Sequence, residues 1–221
     1  MSFIEKKILA KSDKVFYLGK PQCDFQKRAF KKYSGKMFYY HPSYLPDEYG
    51  VVREENNLKN LINICYFGSF FQRNLEPLAS LLDEKLEGVN IDIIGSGQIG
   101  GALQNNNRIK SIERNNKKDE SMKIVKESDA HIVVGFRKGF SIPGKTFYYT
   151  NSNKPIIFLC DGPFSNEIEE YLKQFNRFIL CQNTRECVKD AIFLAKKEIY
   201  SLKKYNCENL SPREAYKIFI E

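Results

Sequence analysis

The sequence predicts a doubly wound α/β domain, a parallel Rossmann-like sheet with helices on both faces. Three observations carry that reading. Beyond residue 60 the chain holds six short apolar runs, at 62–67, 91–94, 109–112, 131–135, 156–160 and 178–181. Continuous apolar runs belong to strands covered on both faces, the habit of parallel sheets. Between the runs, apolar residues recur at helical spacing. Leu75, Leu78, Ala79 and Leu82 form one such set, Ile168, Tyr171, Leu172 and Phe175 another, and Val188, Ala191, Ile192, Ala195 and Ile199 a third. Loops containing glycine follow the strands, where a sheet of this kind binds its ligands outside the carboxyl ends.

The first 60 residues read differently. Phe3, Ile4 and Ile8 mark a helix face, Val15–Leu18 a strand, residues 25–33 a second helix and Met37–Tyr40 another strand. Residues 41–46, His-Pro-Ser-Tyr-Leu-Pro, form a proline-punctuated connector, and 47–60 a polar linker. Two strands and two helices are too few for an independent core. Residues 1–60 therefore read as the tail of an N-terminal domain plus a linker, 61–204 as a ligand-binding domain, and 205–221 as a separate segment ending in a short amphipathic helix from residue 212.

A hydrophobic share of 42%, with 17 Phe and 13 Tyr among 221 residues, excludes a disordered chain. The longest apolar stretches, such as Ile156–Cys160, fall far short of the ~20 residues of a spanning helix. The N-terminus has charges within its apolar pattern and no continuous apolar core, so it does not read as a secretory signal, and a cytoplasmic location is expected. Of the net charge of +8, a surplus of five sits in residues 1–60, where 12 basic side chains face 7 acidic ones. Lys20, Lys27, Arg28, Lys31, Lys32 and Lys36 concentrate it. A solvated helix face accounts for such a cluster, with peripheral contact to an anionic membrane as the sharper alternative. Nucleic acid is not expected, since Arg is scarce and neither an RNP-like signature nor a finger spacing occurs. The six cysteines include no Cys-x-x-Cys, and His41 and His131 are the only histidines, so no metal site is expected. Cys65, Cys160 and Cys181 lie in apolar runs, as reduced core thiols do.

The candidate ligand residues lie in three loops at the carboxyl edge. Gly68, Ser69 and Arg73 belong to the first, Gly95 and Gly97 to the second, and Ser141, Ile142, Pro143, Gly144, Lys145 and Tyr148 to the third. Glycines let the backbone approach a ligand, and a helix N-terminus offers N–H groups to an anion. Pro143 suits a first helical turn, which would place Gly144 and Lys145 in that opening turn. Arg73, expected to open the helix after the first strand, supplies a second cation. Two cations and a helix terminus suit a diphosphate. The second loop also spells Gly95-x-Gly97-x-x-Gly100, and Glu113 follows 18 residues after Gly95, so a dinucleotide fingerprint is the competing motif. Against it, a complete βα unit precedes the motif, and the helix after Gly100 has room for only about six residues.

From Ile64 onward the chain resembles the C-terminal, donor-binding half of retaining GT-B glycosyltransferases. The resemblance rests on Tyr66-Phe67-Gly68-Ser69 with Arg73-Asn74-Leu75, on 91–97, on 128–134, and on 142–149 followed by Lys154-Pro155-Ile156-Ile157. It implies a GT-B C-terminal domain with a remnant of the N-terminal domain, and transfer of a sugar from a UDP- or GDP-linked donor to an acceptor hydroxyl, with no cofactor and no obligate metal. Arg73, Lys145 and residues 141–144 would hold the diphosphate. The loops at Gly68 and Gly95 would meet nucleotide and sugar, and the backbone at 112–114 the base. The acceptor, a glycan or lipid-linked sugar, would sit on an N-terminal half of which only the tail is expected here. Phe140 and Tyr148 occupy places where the family often has two glutamates, and a phenol cannot accept two hydrogen bonds from a ribose diol as a carboxylate can. A non-catalytic nucleotide-sugar or partner-binding module is therefore the second reading, and a nicotinamide oxidoreductase the third.

Overall fold

A computed structural model describes residues 3–42, 61–84, 86–97, 109–111, 118–201, 203–205, 210, 211 and 214. The linker expected at 47–60, most of the connector before it, the loop beyond Gly97 with its short helix, the base-holding stretch 112–114 and all but Glu214 of the helix expected from residue 212 lie outside the described residues.

The six apolar runs are strands of one sheet: β3 (Ile62–Ser69), β4 (Val89–Ser96), β5 (Ile109–Ser111), β6 (Ala130–Val134), β7 (Ile156–Cys160) and β8 (Ile179–Gln182). Every pairing is parallel, in the order β5-β4-β3-β6-β7-β8. This is the doubly wound Rossmann-like order, in which the chain starts at the centre, winds outward on one side, then returns to wind outward on the other. The apolar runs are unbroken because successive side chains enter two different cores. On β3, Ile64 and Tyr66 join Ile93, Ile132 and Leu159 on one face, whereas Cys65 joins Ile94, Val133, Phe158 and Cys160 on the other. Each Ile or Leu so buried contributes on the order of 1.5–3 kcal/mol.

The first face is covered by α3 (Glu76–Ala79) and α7 (Arg185–Tyr200), the second by α4 (Lys118–Glu127) and α6 (Ser165–Lys173). Thr184 caps α7, its hydroxyl accepting the Cys187 N–H. The spacing of Leu75, Leu78, Ala79 and Leu82 predicts a longer helix than α3. Instead the chain tightens after Ala79: the N–H groups of Leu81, Leu82 and Glu84 bond the carbonyls of Leu78, Ala79 and Leu81, three residues back. All four apolar residues are buried nonetheless.

Before this sheet lie α1 (Phe3–Lys11), β1 (Val15–Leu18), α2 (Lys20–Ala29), a 3₁₀ turn (Lys31–Lys36) and β2 (Met37–Tyr40). β1 and β2 pair in parallel with α2 as the crossover. α2 begins five residues earlier than the apolar pattern predicts, because Pro21 fixes its first turn and Gly19, at φ 89°, turns the chain into it. Leu9, Cys23, Phe30 and Met37 make a small core of their own. Aromatic contacts join this unit to the larger sheet: Phe25 stacks on Phe140 at 3.9 Å between ring centres, Phe140 on Phe164, and Tyr39 meets the edge of Tyr171. Among the described residues no helix is long and apolar enough to cross a membrane.

Candidate functional site

The strand order puts the reversal of direction between β3 and β6, and the loops leaving their carboxyl ends frame the crevice there. Gly68 and Ser69 end β3. The Ser69 hydroxyl accepts the Phe71 N–H at 3.1 Å, and its carbonyl accepts the Tyr66 hydroxyl at 2.7 Å. Gln72 then turns the chain through φ 56°, a left-handed conformation that a side chain rarely adopts. Its carbonyl receives the Arg137 N–H at 3.0 Å, so the loops after β3 and β6 are stitched directly. Phe70 donates its N–H to Ser96 at 2.9 Å, which stitches the loop after β4 as well.

Arg73 lies in this loop, three residues ahead of α3 and not at its start, since the Gln72 turn delays the helix. Its guanidinium lies on the Phe136 ring, 3.3 Å from the centre. Burial lowers its pKa, an effect opposed by the Tyr66 hydroxyl and the Asp161 carboxylate. Tyr66 in turn is pushed up to about 12, chiefly by burial.

From the other side, Lys145 begins the one-turn helix α5 (Lys145–Tyr148), which a 3₁₀ turn, Tyr149–Asn151, extends. Its ammonium donates to the Phe67 carbonyl at 2.9 Å and sits 3.4 Å from the centre of the Phe67 ring. Burial pushes this lysine down to about 8. The helix starts two residues later than the sequence suggests: Pro143 precedes it, lending its carbonyl to Thr146, and Gly144 is the N-cap. Ile142 belongs to the second core, while Ser141, Gly144 and Tyr148 are half-buried.

The glycines divide by what demands them. A Cβ on Gly95 would lie 2.1 Å from the Gly68 carbonyl and 2.6 Å from the Phe70 ring, and one on Gly68 would lie 2.9 Å from the Tyr66 hydroxyl. Those two serve the packing of the strand ends. Gly97 needs its hydrogen because φ is +108°. Gly144 is under neither demand: its φ of −54° suits any residue, and a Cβ would meet nothing within 4 Å. A glycine there leaves room for something other than the protein.

The structure sets Arg73 beside Tyr66 and Phe136 and Lys145 beside Phe67, with Gly68 and Ser69 ending β3 and Gly95 paired with Gly68 on β4. The sequence reading missed Tyr66, Phe136, Asp161 and Asn183. Asp161 and Asn183 are each the first residue past a strand, and a lone polar residue at that point was the signal available. The histidines are elsewhere. His131 is buried at the amino end of β6, its ring stacked at 4.1 Å on Tyr149, and His41 packs against Phe147 and Phe175.

No family model matches the chain, and no curated protein matches it. Among solved structures it is similar to a chain in the crystal structure of accessory secretory protein 1, 2 and 3 in Streptococcus pneumoniae, with a TM-score of 0.37, 13% identity and 88% of this chain covered. The match takes in 45% of that chain, so this chain spans less than half of its length.

Proposed function

We propose that the chain is the donor-binding portion of a glycosyltransferase, holding a UDP- or GDP-linked sugar whose sugar passes to a hydroxyl of a glycan or lipid-linked acceptor in polysaccharide or glycoconjugate synthesis. The observation that supports this reading is that two cations stand in loops leaving the carboxyl edge of the sheet beside its reversal point, Lys145 against Phe67 and Arg73 against Phe136. Lys145 is held by the Phe67 ring and carbonyl and Arg73 by the Phe136 ring before any ligand arrives, which lowers the cost of ordering them around a diphosphate. A phosphate beside Lys145 favours its charged form and offsets the burial that pushes it down. As the sugar departs, charge gathers on the diphosphate, and the same two cations stabilise it. No cofactor takes part, and the acceptor is met at or near the inner face of the membrane.

A second reading, a non-catalytic nucleotide-sugar or partner-binding module, draws on Tyr148, a phenol where the resembled family often has a glutamate, and secondarily on Phe140. Where the resembled family often places an acid, the Phe140 ring is buried between Phe25 and Phe164. Titration calorimetry with UDP, GDP, their sugar conjugates and NAD tests both. Binding of a nucleoside diphosphate supports the site, and release of that diphosphate from a sugar conjugate in the presence of acceptor glycans separates enzyme from module. A response to NAD with none to any nucleoside diphosphate sinks the glycosyltransferase reading.

A further inference from the structure

Three buried polar atoms at the carboxyl edge have no hydrogen-bond partner among the described residues: Nη1 of Arg73, Oδ2 of Asp161 and Oδ1 of Asn183. Native interiors seldom leave such groups unpaired. Neighbouring bonds bring the three loops together. The Asn183 N–H donates to the Cys160 carbonyl at 3.0 Å, next to Asp161 in the chain, and its side-chain amide donates to the Asn74 carbonyl at 2.8 Å, next to Arg73. That second bond fixes which end of the amide is which, so Oδ1 is the acceptor left over. Asp161 uses its other oxygen to accept the Gly162 N–H at 2.9 Å. The Asp161 charge acts on Arg73, yet Nη1 and Oδ2 are bonded neither to each other nor to any other described group.

The chemistry of the set is selective. A phosphate oxygen would satisfy Arg73 and be repelled by Asp161. A cation would do the reverse. A hydroxyl donates and accepts, and so suits both at once. We propose that Arg73, Asp161 and Asn183 form a subsite for the hydroxyls of a sugar ring, with Nη1 donating to a hydroxyl oxygen while Oδ2 and Oδ1 accept hydroxyl protons. The proposal rests on the nucleotide-sugar reading and deepens it: Asp161 Oδ2 and Asn183 Oδ1 together supply the pair of acceptors for a diol that a tyrosine at position 148 cannot. It also divides the cations, giving Lys145 to the phosphates and Arg73 at least partly to the sugar. The ring is either the ribose of the nucleotide or the sugar it carries.

The test follows amide resonances of the full chain on adding pyrophosphate, UDP, GDP, their 2′,3′-dideoxy forms, their sugar conjugates and free monosaccharides. Ligands with hydroxyls should move Gly162 and Asn183, whereas pyrophosphate should leave them still. Asp161→Asn, which keeps the volume, should weaken the responding ligand about tenfold and pyrophosphate not at all. Asn183→Ala should act in the same direction, and melting curves check that both variants fold. A loss confined to sugar conjugates assigns the subsite to the carried sugar; a loss shared with UDP or GDP and absent from the dideoxy forms assigns it to the ribose. If nucleotides move Lys145 while Gly162 and Asn183 stay put, or if Asp161→Asn binds unchanged, the subsite is wrong and the nucleotide reading stands. If a monosaccharide moves Gly162 and Asn183 while no nucleotide binds, the nucleotide reading falls and the subsite stands. If no hydroxyl ligand moves those amides, or pyrophosphate moves them equally, only solvent satisfies the three atoms and the proposal is overturned.

Discussion

Lys145 carries a charge that its surroundings only partly support. With its pKa pushed down to about 8, the free protein loses the ammonium well before an exposed lysine would. Nucleoside diphosphate binding should therefore weaken as pH rises through about 8, and Lys145→Arg, always charged, should flatten that profile. Titration calorimetry between about pH 6.5 and 9.5 checks it; a flat wild-type profile would show that Lys145 holds no phosphate. Lys145→Ala should cost about 1–3 kcal/mol of diphosphate affinity.

Two glycines give opposite expectations. Gly95→Ala forces a methyl against the Gly68 carbonyl and the Phe70 ring and should destabilise the fold by about 1–3 kcal/mol or more in denaturant titrations. Gly144→Ala enters open space at a helical φ, so it should leave stability unchanged or slightly higher and weaken diphosphate binding. Equal binding by Gly144→Ala would mean that no ligand approaches there. At the opposite edge, His131 is held well below 6.5, first by burial and then by Lys154 and Arg177. Because its folded pKa lies below the unfolded one, the unfolded chain takes up more protons as pH drops below about 6.5, and stability falls with it. His131→Phe should shrink that acid loss, measured as the denaturant midpoint at pH 7 against pH 5.

At the scale of elements, the aromatic clasp between α2 and the loops after β6 and β7 explains how a two-stranded unit with a four-residue core keeps its place. Phe140→Ala should cost about 3 kcal/mol and speed hydrogen exchange in β1 and β2 before it affects β7; uniform exchange in both sheets would contradict the clasp. None of this was legible in the chain, because Phe25, Phe140 and Phe164 are far apart and each reads as an ordinary apolar residue. The strands were legible, since a side chain pointing to either face of a covered sheet must be apolar, and Ile156–Cys160 was bounded to the residue. Helix starts were less so. Pro21 moved α2 forward and the Gln72 turn moved α3 back, both backbone effects that side-chain periodicity does not record. For the same reason, Arg73 and Lys145 were found as residues while their immediate partners, the Phe136 ring and the Phe67 carbonyl, were not.

Across the whole molecule, β3 at the centre pairs with β4, which follows it closely, and with β6, which does not. The second pairing is tied by reciprocal bonds between Asn63 and Asp129, 66 residues apart: the Asn63 N–H to the Asp129 carboxylate at 2.8 Å, and the Asp129 N–H to the Asn63 carbonyl at 2.6 Å. Those bonds fasten the amino ends of the two strands whose carboxyl ends lead to the loops of Arg73 and Lys145, so the candidate site exists only once the two halves of the sheet have joined.

That junction also sets the pace at which the protein forms. Parallel strands have no hairpins to nucleate them, and closing a loop of this length is an entropic debt incurred before any of the β3–β6 contacts repay it. Refolding should be governed by this one long-range encounter, with the β3–β4 half gathering early and waiting with an uncovered apolar flank for β6. Asp129→Ala should then slow refolding more than it hastens unfolding, a ratio that stopped-flow kinetics reads directly.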